Sequence, residues 1–245
     1  MNNNMNLWSA EAAPVQNTAE TGALAKNFVS NVMTYMASAL VISGITAWWF
    51  ASSGLALEYL FNPEGGMTGL GWLVMLAPFG LVLWMGFGIQ KMSSPMMLTV
   101  FLAYSFLMGL SLSFIFLAYT AASIYTTFFI TAGTFGAMAF LGYTTSTDLT
   151  KMGSFLYMAL IGIILAMVVN WFVGSAMMDY VISMLGVLIF TGLTAYDMQK
   201  IKRLGMTVDA KSEEGTKLAL FGALNLYLDF VNLFLFLLRL MGNRN

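Results

Sequence analysis

The 245-residue chain contains no cysteine and no histidine. The absence of cysteine excludes disulfides, thiolate nucleophiles and sulfur-ligated metal sites. The absence of histidine removes the usual zinc ligand and the side chain that usually titrates near neutral pH. Any pH sensing must therefore come from carboxylates, and any metal ion held by side chains should be a hard, oxygen-binding cation such as calcium.

Charge is also scarce. Only 9% of the residues are charged, whereas 59% are hydrophobic and the mean hydropathy is +0.80. A soluble domain of ordinary composition has about 25% charged residues. A deficit spread over the whole length indicates a polytopic membrane protein. The net charge is −1 and basic residues do not cluster with aromatic residues away from a membrane end, which argues against nucleic-acid binding.

Seven charge-poor segments are long enough to cross a bilayer as helices of about 20 residues. We predict spans at 29–53, 69–90, 96–118, 123–144, 155–173, 181–200 and 218–240. Helices are required because lipid offers backbone groups no water, and the short alternating segments of a membrane barrel are absent from the sequence. The predicted fold is an all-α integral membrane protein, with a flexible cytoplasmic arm at 1–28 before a seven-helix domain at 29–245.

Basic residues predict the orientation of these spans, because Lys and Arg concentrate in cytoplasmic loops. With seven spans, the N-terminal segment and three loops fall on one side of the membrane and contain eight basic residues, whereas the other side has two. We therefore predict a cytoplasmic N-terminus and an external C-terminus. The eight are Lys26, Lys91, Lys151, Lys200, Lys202, Arg203, Lys211 and Lys217, and the two are Arg239 and Arg244.

Small residues recur within the predicted spans at a spacing that lets membrane helices approach closely. Gly133, Gly136, Gly162 and Gly192 are therefore predicted to lie at helix contacts. Pro78 falls inside the second span and is expected to kink it, because proline removes a backbone hydrogen bond.

Two acids lie well inside predicted spans, Asp197 in the sixth and Asp229 in the seventh. An ionisable residue costs about 2.5–3.5 kcal/mol there even on the lenient insertion scale, so it generally faces a bundle interior. Polar residues on the same helical stripes support an interior face for both acids. These supporting residues are Thr191 and Thr194 on the sixth span, and Asn225, Asn232 and Arg239 on the seventh.

If the two stripes face each other, the two carboxylates occupy one low-dielectric site. Like charges held close together do not both ionise easily, so the pair is expected to share one proton around neutrality and to titrate as a unit. The alternative is that Asp197 lies at the membrane edge in a salt bridge with Lys200, Lys202 or Arg203. Asp229 also lies several residues deeper, so pairing requires a longer sixth span, a tilt or a water-filled vestibule.

The segment TAYDMQKI at 194–201 resembles the T-x-Y-D-x-Q-x-I signature of the Bax inhibitor-1 family, and LYLDFVNLF at 226–234 resembles its last helix. The likeness extends over nearly the whole chain and is greatest to a bacterial inner-membrane member. It implies six helices around a central seventh, and a pH-sensitive calcium leak gated by paired aspartates. Asp197 and Asp229 match those positions, where calcium, the permeant ion, would bind weakly and transiently; no catalytic residue and no cofactor are implied.

The sequence departs from the family pattern in the second helix. Members often carry an acid or amide midway along it and a basic residue near its end, whereas Pro78 and Lys91 occupy the nearest positions here. The family resemblance alone therefore does not predict the ion preference or the closed-state latch of this chain.

Two alternatives to a channel remain open. The resemblance includes bacterial members that modulate a membrane-bound protease, so the chain could be a non-conducting regulator that binds such a partner through 1–28 or 200–217. An intramembrane aspartyl protease also needs two aspartates on neighbouring helices. The G-x-G-D pattern expected beside a proteolytic aspartate is absent from the sequence, so we predict that the chain is not an enzyme.

Overall fold

A computed structural model describes residues 18–62 and 65–245 of the chain. Within these ranges the chain forms eight helices and no sheet, and seven of the helices are long and apolar enough to cross a membrane. The predicted all-α fold and the number of spans are confirmed. The helices are α1 (Thr18–Ser52), α2 (Leu55–Leu60), α3 (Gly69–Gly88), α4 (Ser94–Ala118), α5 (Ala121–Thr144), α6 (Thr150–Val173), α7 (Ala176–Gly205) and α8 (Glu213–Met241).

Local sequence determines where the helices begin. A Ser or Thr hydroxyl at the N-cap accepts a hydrogen bond from the free backbone N–H of the first turn, which stabilises a helix by about 1 kcal/mol. Five helices start this way, and Gly174, in the left-handed conformation at φ +67°, ends α6 before the short turn into α7. The five caps are Thr68 for α3, Ser93 for α4, Thr120 for α5, Ser175 for α7 and Ser212 for α8.

Most helices extend beyond their predicted spans, and two of these extensions, in α1 and α7, change the packing next to the site. Helix α1 begins at Thr18, so the predicted boundary at residue 28 lies inside it, and Phe28 is fully buried against Gly205. Helix α7 continues to Gly205, five residues past the predicted end at Lys200. In both cases charged residues interrupt the hydropathy signal without interrupting the helix. The part of the predicted arm at 1–17 lies outside the described residues.

Helix α8 is the most buried span. Two-thirds of its apolar window is buried, whereas no other span exceeds one-third. It packs against α1, α4, α5 and α7, while α3 packs mainly on α4 and α6 on α7. This burial agrees with an inner position for α8; the arrangement of six helices around it stays a prediction.

The glycine contacts differ from those predicted. A Cβ atom added at Gly133, Gly136 or Gly162 would meet no atom within 4 Å, so the prediction for these three positions was wrong. The prediction for Gly192 was correct, since a Cβ there would lie 2.7 Å from the Leu156 side chain. Spacing alone does not show which face of a helix meets a neighbour.

Two other glycines let one span approach the backbone of another closely. At Gly142 of α5, a Cβ would collide with the backbone carbonyl of Ala195 in α7. At Gly109 of α4, a Cβ would lie 2.7 Å from the carbonyl oxygen of Ser43 in α1. Backbone atoms cannot rotate away as side chains do, so these contacts fix the spacing of α5 from α7 and of α4 from α1.

Candidate ion and proton site

The structure brings the two intramembrane acids together. Asp197 of α7 is 3% exposed and Asp229 of α8 is 5% exposed, and their carboxyl groups lie close enough for one to donate a hydrogen bond to the other when protonated. The extension of α7 beyond Lys200 moves Asp197 further from the helix end and reduces the apparent difference in depth.

A tyrosine on α6 completes the immediate surroundings of the pair. The Tyr157 hydroxyl lies 3.3 and 3.5 Å from the two carboxylate oxygens of Asp197, to which it donates. Within 18–62 and 65–245, no group donates a hydrogen bond to the buried Oδ2 of Asp229. Buried oxygens of native proteins generally have a partner, so this atom is suited to a proton, a water or a cation. Tyr157 was not predicted as a site residue, because it lies in an apolar stretch with no periodic polar pattern.

The salt-bridge alternative for Asp197 does not hold in the described structure. Among the described residues no Lys or Arg nitrogen lies within 4 Å of a carboxylate oxygen of Asp197 or Asp229. Arg203 instead pairs with Asp148 at 2.9 Å, and the Lys202 ammonium donates to the Tyr143 carbonyl at 2.7 Å. These two basic side chains hold the α5–α6 loop, and Lys200 acts on Asp197 only from beyond salt-bridge distance.

The supporting polar residues on α8 lie elsewhere. Arg239 donates to Asp179, at the start of α7, across 3.0 Å. The Asn232 amide donates to the Leu228 carbonyl of its own helix. Half-buried Asn225 makes no hydrogen bond to either acid among the described residues. These polar residues of α8 therefore share one helix face, but they do not share a common contact.

On α7, Thr194 is fully buried and its hydroxyl donates to the Phe190 carbonyl at 2.8 Å. Thr191 is half-buried and makes no hydrogen bond to the acids in the described structure. Neither threonine contacts Asp197 through its hydroxyl. Apart from the two aspartates themselves, Tyr157 is therefore the side chain in the described structure that hydrogen-bonds to the pair.

Gln199, in the same motif as Asp197, attaches α7 to the α5–α6 loop. Its amide nitrogen donates to the Thr147 carbonyl at 2.7 Å, and its amide oxygen accepts from the Leu149 N–H at 2.9 Å. Tyr196 packs its ring against Gly153 of α6. The motif thus combines one acid with two residues that position the neighbouring spans.

Asp148, outside the spans, has a lowered pKa of about 2. Hydrogen bonds from the Thr150 hydroxyl and backbone N–H are the main causes, and Arg203 adds to them. Asp148 consequently stays ionised throughout the neutral range. A response of the protein to pH near neutrality has to arise elsewhere.

The chemistry of the site suits transient rather than tight cation binding. Calcium takes six to eight oxygen ligands, whereas the described residues offer no cluster of three or more acidic, His or Cys side chains. Two carboxylates and a tyrosine hydroxyl leave most of the coordination to water or backbone carbonyls. These side chains alone are too few to complete the coordination of a calcium ion.

Comparison with known proteins shows a consistent relationship along the chain. The model of the family described as "Inhibitor of apoptosis-promoting Bax1" matches residues 25–245. The "Inner membrane protein YbhL" of Escherichia coli K12 is 44% identical over 220 residues, which cover 89% of this chain and 92% of that protein. An uncharacterised protein of Borreliella burgdorferi is 44% identical over 222 residues, covering 90% of this chain and 94% of its own length.

Proposed function

Because the chain belongs to the Bax inhibitor-1 family of membrane proteins, we propose that it is a pH-sensitive calcium leak channel of a bacterial inner membrane. In the proposed orientation the N-terminus is cytoplasmic and the C-terminus external. The strong excess of basic residues on the N-terminal side supports this orientation. A relative named as an inner membrane protein supports the location.

The observation that carries the proposal is the buried pair of Asp197 and Asp229. Two carboxylates in contact, without a neutralising Lys or Arg within 4 Å in the described structure, form an expensive arrangement inside a membrane. A shared proton removes the repulsion and joins the pair by a hydrogen bond. Loss of that proton creates repulsion between the two acids and a strong attraction for a divalent cation.

The proposed gating follows from this difference. At low pH the shared proton holds α7 against α8 at the pair, which closes the path. As pH rises, the two negative charges repel one another, loosen the contact between the two helices and present oxygens to calcium. Tyr157 remains hydrogen-bonded to Asp197 in the closed form and orients its carboxylate toward Asp229.

Calcium flux into liposomes tests this function directly. Purified wild-type protein in vesicles that enclose a calcium-sensitive dye is expected to admit calcium several-fold faster at pH 8 than at pH 5. Protein-free vesicles are the control for passive leak, and a calcium ionophore added at the end shows that the dye still responds. Flux equal to that of protein-free vesicles at every pH would exclude a channel and favour the non-conducting regulator.

Tyr157→Phe is expected to move the pH of half-maximal flux upward by about one unit. The hydroxyl stabilises the ionised form of Asp197. Hydrogen bonds to charged groups contribute about 1.5–3 kcal/mol, and 1.36 kcal/mol corresponds to a shift of one pH unit. We expect the smaller effect because both distances, 3.3 and 3.5 Å, are long for O–H···O bonds. Flux is measured across a pH series in the same vesicles.

Tyr180→Phe is the matched control, since Tyr180 is exposed and its hydroxyl makes no hydrogen bond to the acids. Its midpoint should equal that of the wild type. If Tyr157→Phe also has the wild-type midpoint, Tyr157 has no part in the proton response.

A further inference from the structure

An apolar groove opens on the membrane-facing side of the bundle, between α1 and α5. Helices α4 and α8 also line it, and α8 does so through residues that include Phe230 and Phe234. The volume is about 410 Å³, within the range of roughly 300–1,000 Å³ typical of ligand pockets. Almost all of its surface is apolar, and the side chains at its rim, such as Trp48 and Phe129, are exposed.

The groove is too short for a second membrane helix. On α1 it extends from Leu40 to Trp48, which at 1.5 Å per residue is about 12 Å. A spanning helix would need contact along a bilayer core of about 30 Å. One lipid acyl chain, which occupies one half of the bilayer, matches this length.

A basic side chain lies at the turn between α4 and α5, two helices that line the groove. The last residues of the chain, 242–245, cross the turn between α4 and α5 and form the C-terminal strap. The Asn243 carbonyl accepts from the Thr120 N–H at 3.0 Å, and the Asn245 N–H donates to the Ala118 carbonyl at 3.1 Å. These bonds hold the Arg244 guanidinium over the Tyr119 ring, 5.9 Å from its centroid.

Arg244 is available for an anion. Among the described residues it has no carboxylate within 4 Å, whereas Arg239, the other basic residue at this end, already pairs with Asp179. The groove-lining residues Phe116 and Tyr125 lie within about two turns of Tyr119 on α4 and α5. A phosphate at Arg244 would therefore be joined to an acyl chain lying in the groove.

We propose that this groove is a binding site for one anionic phospholipid, with an acyl chain between α1 and α5 and the headgroup phosphate at Arg244. The apolar lining recognises the chain, and the guanidinium recognises the phosphate through paired N–H donors. A lipid with no compensating positive charge in its headgroup is preferred, because the arginine then meets net negative charge. This site is separate from the acid pair and does not depend on the proposed channel activity.

Gly44 provides a direct test, because it lines the groove and a Cβ added there would meet no atom within 4 Å. Gly44→Leu therefore adds volume to the groove from a position where the new Cβ has room. Gly133→Leu is the matched control, the same substitution at a glycine of α5 that also faces open space but does not line the groove. Arg244→Gln removes the headgroup contact alone.

Native mass spectrometry of the purified full chain, titrated with dioleoyl phosphatidylglycerol or dioleoyl phosphatidylcholine, measures the binding. The wild type and Gly133→Leu are expected to retain one phosphatidylglycerol, and Gly44→Leu to bind it at least tenfold more weakly. Arg244→Gln should bind both lipids alike. Size-exclusion chromatography checks that each variant remains folded.

Three results would overturn the proposal. If Gly44→Leu binds phosphatidylglycerol as tightly as the wild type does, the lipid binds elsewhere. If the wild type binds the two lipids equally tightly, Arg244 does not recognise the headgroup. If the wild type forms a dimer that retains no lipid, and the Gly44→Leu variant is a monomer, the groove is an interface between two copies.

Discussion

Replacing Asp197 and Asp229 together by asparagine is expected to abolish the pH dependence of calcium flux between about pH 5 and 8. Asparagine keeps the size and hydrogen bonding of the side chain but cannot ionise. Without carboxylates the pair neither repels at high pH nor shares a proton at low pH. Dye-loaded liposomes measured across a pH series should give a flat profile, with flux at the low level of the protonated wild type.

The single variants extend this test. Either Asp197→Asn or Asp229→Asn leaves one ionisable group, which no longer shares its proton with a like charge. Each should lose the wild-type midpoint, and neither should admit calcium as fast as the wild type at pH 8, because one of the two charges that attract the cation is gone. Wild-type flux profiles in both single variants would refute the proposed gate.

Asp148→Asn is the control for this experiment. Asp148 is an acid at the edge of the same bundle, but with a pKa of about 2 it does not change charge over the tested range. Its substitution removes a surface ion pair with Arg203, and exposed pairs of this kind contribute little to stability because water screens them. The pH profile of this variant should equal that of the wild type.

Gly142→Leu is expected to lower the free energy of unfolding by about 3 kcal/mol or more, the upper end for overpacked cores. The new side chain would meet the backbone carbonyl of Ala195, so α5 and α7 would have to separate. That movement also pulls on Asp197, two residues further along α7. Thermal unfolding in detergent micelles, followed by the fraction of protein that stays monodisperse, measures the loss.

Gly136→Leu, on the same helix, is the control that distinguishes the effect of a packing clash on stability from the effect of losing a glycine. Gly136 faces open space, so leucine should be tolerated there. The leucine side chain transfers favourably into lipid and displaces no neighbouring atom. Equal loss of stability in the two variants would mean that the close approach at Gly142 does not determine the spacing of α5 and α7.

The number of spans and the pairing of the acids could be predicted because each has a strong one-dimensional signal. Long uncharged runs define the helices, and two costly acids on polar stripes require a shared interior. The ends of α1 and α7 could not be predicted from hydropathy, because Lys26 and Lys200 interrupt the apolar run while Phe28 and Ile201 continue the buried face.

Other features depend on which faces meet, and spacing does not contain that information. Gly133 and Gly142 look alike in the sequence, yet only Gly142 contacts a backbone. Tyr157 reaches Asp197 from α6, which packs mainly on α7. The pairing of Arg239 with Asp179 joins residues 60 positions apart at the ends of two helices.

The attachment of Gln199 to the α5–α6 loop makes motion at the acids visible from outside the membrane. Asp197 and Gln199 are two residues apart and point to nearly opposite sides of one rigid helix. A rotation of α7 that separates the acids must therefore displace Thr147 and Leu149, to which Gln199 is bonded. Since the chain has no native cysteine, a single Ser146→Cys label on this exposed loop would report the protonation of a site buried in the bilayer.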